Sequence, residues 1–166
     1  MKASRTTLII AIVFGFTHFS FAQDTSKIVI YNPDADAETE LMNAITVAGK
    51  ENKHVFIQIG GNWCPWCIRF HNFCESDNAI DSILKADYVV LKINYSRENK
   101  NKEVLTKLNF PQRFGFPVFV ILDGSGNRIH TQDSGLLENN KSYDSRKVAT
   151  FLKNWSPDAL SPEQYE

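Results

Sequence analysis

The chain has 166 residues, 43% of them hydrophobic and 22% charged, and a formal net charge of −1. That length allows one domain with a real apolar core, and the composition is ordinary for a globular protein. So small a net charge gives no reason to expect nucleic acid or an anionic membrane as a partner.

Met1 to Ala22 reads as a secretory signal peptide. Lys2 and Arg5 form a positive start and Leu8–Phe16 an apolar run. Ser20-Phe21-Ala22 is a small-x-small cleavage site before Gln23. A membrane anchor is the alternative, but so short a run falls well below the ~20 residues a spanning helix needs, and no stable insertion is expected. With no Cys beside the cleavage site, a lipid anchor has no support either. Export places the mature protein outside the reducing cytosol, in a periplasm or the extracellular space. Residues 23–155 then form the domain, with a flexible start at Gln23–Ser26, and 156–166 a mobile tail.

Lys27-Ile28-Val29-Ile30-Tyr31 has the β-branched content of a short strand. A turn follows at Asn32-Pro33-Asp34, and Asp34 or Asp36 is placed to cap the next helix. Leu41, Ala44, Ile45 and Ala48 recur at helical spacing, predicting a helix over 37–50. Lys53 to Ile59 is a nearly continuous apolar run, as expected of a central strand covered on both faces. Gly60-Gly61 then lets the backbone turn tightly into Asn62-Trp63-Cys64-Pro65-Trp66-Cys67, and a helical pattern continues to about Cys74. Ser76 or Asp77 would cap a short helix over 78–85, and 88–94 reads as a second buried strand. A polar loop at 96–101 leads to a helix at 102–108, with Asn109 suited to its C-terminal end. Pro117–Leu122 is a strand. Asp123–Asn127 is a turn, and Arg128–Thr131 returns antiparallel. Residues 135–142 read as loop and 143–155 as the closing helix, with Val148, Phe151, Leu152 and Trp155 inward.

The chemistry concentrates in the Cys-Pro-Trp-Cys stretch. Pro65 is favoured at the first helical position, which makes Cys64 the N-cap. Unpaired N–H groups and the helix dipole favour an anion there, so Cys64 is the candidate reactive thiolate. Cys67 lies one turn deeper, placed to attack a mixed disulfide formed at Cys64. Half of a zinc site and a plain structural disulfide are the competing readings. A four-ligand cluster would need His71 and Cys74, but Cys64 and Cys74 lie roughly 15 Å apart along a helix, so no metal is expected. His71, at i+4 from Cys67, is a candidate modulator of its proton, against the commoner outcome of a surface His. Cys74 reads as a buried inert thiol.

Trp63-Cys64-Pro65-Trp66-Cys67 resembles the active-site motif of the thioredoxin superfamily, and Gly115-Phe116-Pro117-Val118-Phe119 resembles its second signature, a cis-proline before a strand. The resemblance runs from about Lys27 to Trp155. It is strongest to small secreted or periplasmic thioredoxin-like proteins and to the thioredoxin-like end domain of transmembrane disulfide reductases. It implies an α/β, thioredoxin-like fold with a mixed central β-sheet flanked by helices on both faces. It also implies that Pro117 faces the cysteines and that Phe116 offers its backbone to an extended substrate. Trp63, Pro65, Trp66, Phe116 and Pro117 would form the substrate surface. Several thioredoxins carry a buried Asp six residues before the first cysteine, taken to accept the second cysteine's proton. Gln58 stands there in this chain; it can hydrogen-bond but cannot titrate.

The expectation is thiol–disulfide exchange on exported proteins, Cys64 attacking and Cys67 resolving, with reduction or isomerisation favoured over oxidation by analogy to reductase end domains. No cofactor is required, the chain is expected to be a monomer, and a reductase outside the cytosol would draw electrons from a membrane donor. The rival is a binding or chaperone-like module of the same fold with a static Cys64–Cys67 disulfide.

Overall fold

The computed structural model describes residues 28–166, so the expected signal peptide and the start at 23–26 lie outside the described residues. The sheet is built around β1 (His54–Gly60), every residue of which is buried. β2 (Tyr88–Asn94) pairs with it in parallel on one side, and β3 (Val118–Leu122) pairs antiparallel on the other. β4 (Arg128–Asp133) closes the order β2-β1-β3-β4. The sheet is therefore mixed, as the sequence reading expects.

Alternation along β1 sorts the two layers, because successive side chains leave a strand on opposite faces. Val55, Ile57 and Ile59 pack with Leu41, Ala44 and Ala48 of α1 (Ala37–Glu51) and Val104 and Leu105 of α4 (Lys102–Lys107). Phe56 points the other way, into Phe70 of α2 (Pro65–Ser76), Ile80 of α3 (Asn78–Asp87) and Phe151 of α5 (Ser145–Asn154). Phe119 of β3 joins this layer, its ring centroid 4.3 Å from that of Phe70. Each such buried side chain stabilises the fold by roughly 1.5–3 kcal/mol. Gln58 shares the Phe56 face, which carries a polar group into the layer that holds α2.

The helix starts follow capping chemistry. Asp36 accepts from the N–H groups of Glu38 and Thr39, and Asp77 from those of Ala79 and Ile80. Asn52, in the left-handed region at φ 53°, ends α1.

The structure departs from the sequence reading at several places. Residues 28–31 form no strand; the N–H groups of Ile30 and Tyr31 donate to the Asn62 side chain instead of a neighbouring strand. β2 is an edge strand, with Val90 45% exposed, so its apolar run does not mean burial on both faces. The expected loop at 135–142 holds a 3-10 turn, Ser134–Leu137, and a small hairpin of β5 (Glu138–Asn139) with β6 (Ser142–Tyr143). Tyr143 accordingly lies in a strand, buried against Phe70, and α5 begins at Ser145. The tail is folded into two 3-10 turns, Asp158–Leu160 and Pro162–Tyr165, with Ser156 buried at their start.

Candidate active site

β1 delivers the chain to the site. Its C-terminal residues Gly60 and Gly61 lead through Asn62 and Trp63 to Cys64, the N-cap of α2, with Pro65 at the first turn. Cys64 Sγ accepts the Cys67 N–H at 3.2 Å, so the helix start donates to that sulfur as the capping argument requires. The two cysteines are joined as a disulfide, with α-carbons 5.3 Å apart. Pairing of Ile59 with Val118 places Pro117 beside the C-terminal end of β1, at the end of the central strands where α2 begins. The Phe116–Pro117 peptide bond is cis. Phe116, Trp66 and Ile30 pack directly against the cluster of Tyr31, Cys64 and Cys67.

Burial bears on the reading of Cys64 as the reactive thiolate. Cys67 is fully buried, as expected, but Cys64 is itself only 3% exposed. Ile30, Trp66 and Phe116 pack against the cluster it forms with Tyr31 and Cys67, two of them from distant parts of the chain. Attack on a bulky substrate therefore requires one of them to move.

The two tryptophans differ. Trp63 is 53% exposed, its edge against Phe116 and its indole N–H donated to the Tyr95 carbonyl at 2.7 Å. Phe116 in turn stacks on Tyr95 at 4.7 Å between centroids, giving three rings in contact beside the motif. Trp66 is half-buried between Tyr143, edge-on at 5.5 Å, and the Arg69 guanidinium, 4.4 Å above the ring. Pro65 is exposed. A cleft of about 520 Å³ lies beside Trp63, walled by Pro33, Asn62, Asn94 and Tyr95. A larger one, about 660 Å³, lies between the start of α1 and the loop into α4, and no motif residue lines it. The cleft beside Trp63 is the one adjacent to the chemistry.

Gln58 reaches the cysteines. Its Nε2 donates to the Cys67 carbonyl at 3.0 Å and to the Tyr31 hydroxyl at 2.7 Å. His71 does not: its Nε2 lies 3.4 Å from Glu75 one turn on, and burial with nearby Lys92 holds its pKa below the usual value. Gln58 thus satisfies the buried backbone carbonyl of Cys67, and neither its amide nor the His71 imidazole is hydrogen-bonded to the Cys67 sulfur. Cys74 is a free, buried thiol whose pKa burial pushes up to about 12. Among the described residues no group of three or more His, Cys, Asp or Glu is placed to hold a metal ion.

Sequence reasoning missed Tyr31 and the use of Asn62. Tyr31 is 1% exposed and reaches the site from 27 residues before Gln58, with no local signal of that destination. Asn62 accepts from the N–H groups of Ile30 and Tyr31 and donates to the Tyr31 carbonyl at 2.8 Å.

Residues 41–144 match the thioredoxin-like domain family. The chain belongs to that family. This thioredoxin-like chain is also similar to a disulphide isomerase from Xylella fastidiosa, at 21% identity and a TM-score of 0.68, over 76% of this chain and 96% of that one. A second solved structure, described as DsbH oxidoreductase, matches at 17% identity and a TM-score of 0.52, over 84% of this chain and 94% of that one. At these identities the likeness is one of fold. No curated protein matches the chain. The thioredoxin-like chain thus has an oxidoreductase fold with a Cys64–Cys67 pair at disulfide distance.

Proposed function

We propose that this protein is a thiol–disulfide oxidoreductase acting on exported proteins through Cys64 and Cys67, with reduction or isomerisation as its direction. One observation carries the reading: Cys64 caps α2, receives the Cys67 N–H, and is bonded to Cys67 at the end of the central strands where Phe116 and Pro117 also lie. In the reduced form the Cys64 thiolate attacks one sulfur of a substrate disulfide and expels the other as a thiol. Cys67 then loses its proton, attacks Cys64 Sγ and releases the second substrate sulfur, which takes up a proton. The product is the Cys64–Cys67 disulfide, and two electrons from a dithiol donor restore the pair.

Export through Met1–Ala22 would place this chemistry in a periplasm or outside the cell. A membrane-bound donor is the partner such a site needs for reduction, and a monomer suffices for the mechanism. Trp63, Pro65, Trp66, Phe116 and Pro117 would form the surface met by the substrate chain. Trp63 and Pro65 supply exposed apolar area, and Phe116 and Trp66 border the sulfurs. Insulin reduction by dithiothreitol tests the proposal: the wild type should accelerate it and Cys64→Ser should not. Equal rates for the two proteins would refute it.

The burial of Cys64 favours a second reading, a binding module whose disulfide is static. That reading predicts no reduction of Cys64–Cys67 by dithiothreitol while the protein remains folded.

A further inference from the structure

The second cysteine of an exchange pair has to become an anion in a dry place, because it attacks as a thiolate. Cys67 clusters with Tyr31 and Cys64, Ile30, Trp66 and Phe116 pack against that cluster, and Gln58 bonds the Cys67 carbonyl; none of these side chains is charged at neutral pH. An uncompensated buried thiolate is strongly disfavoured. Something in this pocket must supply a hydrogen bond.

The hydrogen-bond inventory shows which group can. The Cys67 carbonyl oxygen only accepts, so the Gln58 amide must present its nitrogen to it, and that orientation is fixed by chemistry. The same nitrogen meets Tyr31 Oη at 2.7 Å, so the hydroxyl oxygen is an acceptor there. Both Gln58 N–H groups are thereby used, and the Tyr31 hydroxyl keeps its own proton to donate. Gly60 shows where that proton can go. A Cβ built on Gly60 would lie 2.4 Å from Cys67 Sγ and 2.9 Å from Tyr31 Oη, so both atoms border the same small space, although no hydrogen bond joins them in the oxidised form. Asn62 holds the Tyr31 backbone in place with bonds of 3.0 and 2.8 Å.

We propose that Tyr31, oriented by Gln58 and held by Asn62, is the hydrogen-bond donor that stabilises the Cys67 thiolate during resolution of the mixed disulfide. This rests on the exchange reading above. Tyr31 keeps its proton throughout; the proton lost by Cys67 passes to the departing substrate sulfur. Burial supports the assignment by holding the phenol well above its ordinary pKa, so that it remains a donor at any pH where the thiolate forms. Where a buried Asp would accept a proton, this chain supplies a donor to the anion.

The test follows the Cys67 β-carbon NMR shift against pH in the full-length protein, reduced with a phosphine and carrying Cys64→Ser to remove coupling between the thiols. Tyr31→Phe should lower the thiolate fraction at a fixed pH by about ten- to a hundredfold, as loss of one hydrogen bond to a charged group implies. Tyr31→3-fluorotyrosine, a stronger donor of nearly the same shape, should raise it. A merely structural role would not move the titration in opposite directions. A folded Tyr31→Phe protein with an unchanged titration would overturn the proposal. Should that variant unfold, absence of an increase with 3-fluorotyrosine would overturn it. Because this experiment needs no turnover, failure of the exchange reading shows separately, as absence of insulin reduction by the wild type.

Discussion

Asn62→Ala removes the clasp that holds residues 30 and 31 over the disulfide. Three hydrogen bonds disappear: the N–H groups of Ile30 and Tyr31 to Oδ1 at 2.9 and 3.0 Å, and Nδ2 to the Tyr31 carbonyl at 2.8 Å. At ~0.5–1.5 kcal/mol net for each, the loss is roughly 2–4 kcal/mol. The site is only partly buried, so water replaces some of the bonding, and about 2 kcal/mol is the value expected. That corresponds to roughly a thirtyfold shift of the segment toward the undocked state. Ile30 packs against the cluster of Tyr31, Cys64 and Cys67, and Tyr31 belongs to it, so undocking should loosen the surroundings of the disulfide. The assay is the rate of disulfide reduction by dithiothreitol in native buffer, followed by tryptophan fluorescence, beside a denaturant titration. The variant should react several- to thirtyfold faster and unfold at lower denaturant. A wild-type reduction rate together with a wild-type midpoint would show that the segment is no cover at all.

Three other outcomes follow from the same geometry. Gly60→Ala forces a methyl group into Cys67 Sγ and against Tyr31 Oη, and should cost about 1–3 kcal/mol in chemical denaturation; a neutral result would mean that the pocket over Gly60 is loose. Cys74, with its pKa pushed from 9.0 to about 12, should hold about a thousandfold less thiolate than an ordinary thiol. Native alkylation should spare it, Cys74→Ala should leave insulin reduction unchanged, and labelling of Cys74 in the folded protein would contradict this. Finally, the Asp77 carboxyl is held below its ordinary pKa of 3.8 by the Ser145 hydroxyl and then by the Ile80 N–H. A lowered folded pKa contributes stability that is present above the unfolded pKa and lost as pH falls through the folded one. Unfolding midpoints measured from about pH 5 downward should therefore fall less steeply for Asp77→Asn than for wild type.

The centre of the fold was legible because its signals are local. β1 announces itself as an unbroken apolar run, and Cys64 as an N-cap because Pro65 follows it. Gln58, at the position where the resembling family carries an Asp, meets Cys67 at its backbone carbonyl and is not bonded to its sulfur. What escaped was decided at a distance. Ile28–Tyr31 carries strand-like residues, yet its backbone bonds to a side chain 31 and 32 residues away, and no property of the segment itself encodes that choice. Val90 sits in a run as apolar as that of β1, but sheet order puts β2 at an edge. His71 had the right helical spacing from Cys67, while Glu75 at the same spacing on the other side claimed it. The burial of Cys64 was likewise invisible, since Ile30, Trp66 and Phe116 come together against the cysteine cluster only in the folded chain.

The reduction potential of the Cys64/Cys67 pair, measured by equilibration with glutathione or dithiothreitol buffers and read as the fraction oxidised, bears most directly on whether this disulfide is a working redox centre. A potential between ~−270 and ~−120 mV, the span from thioredoxin to a strong oxidant, is the predicted result, with the more negative half expected for a reductase or isomerase. A value below ~−300 mV, in the range of structural disulfides, would contradict the account and leave the bond as a static crosslink.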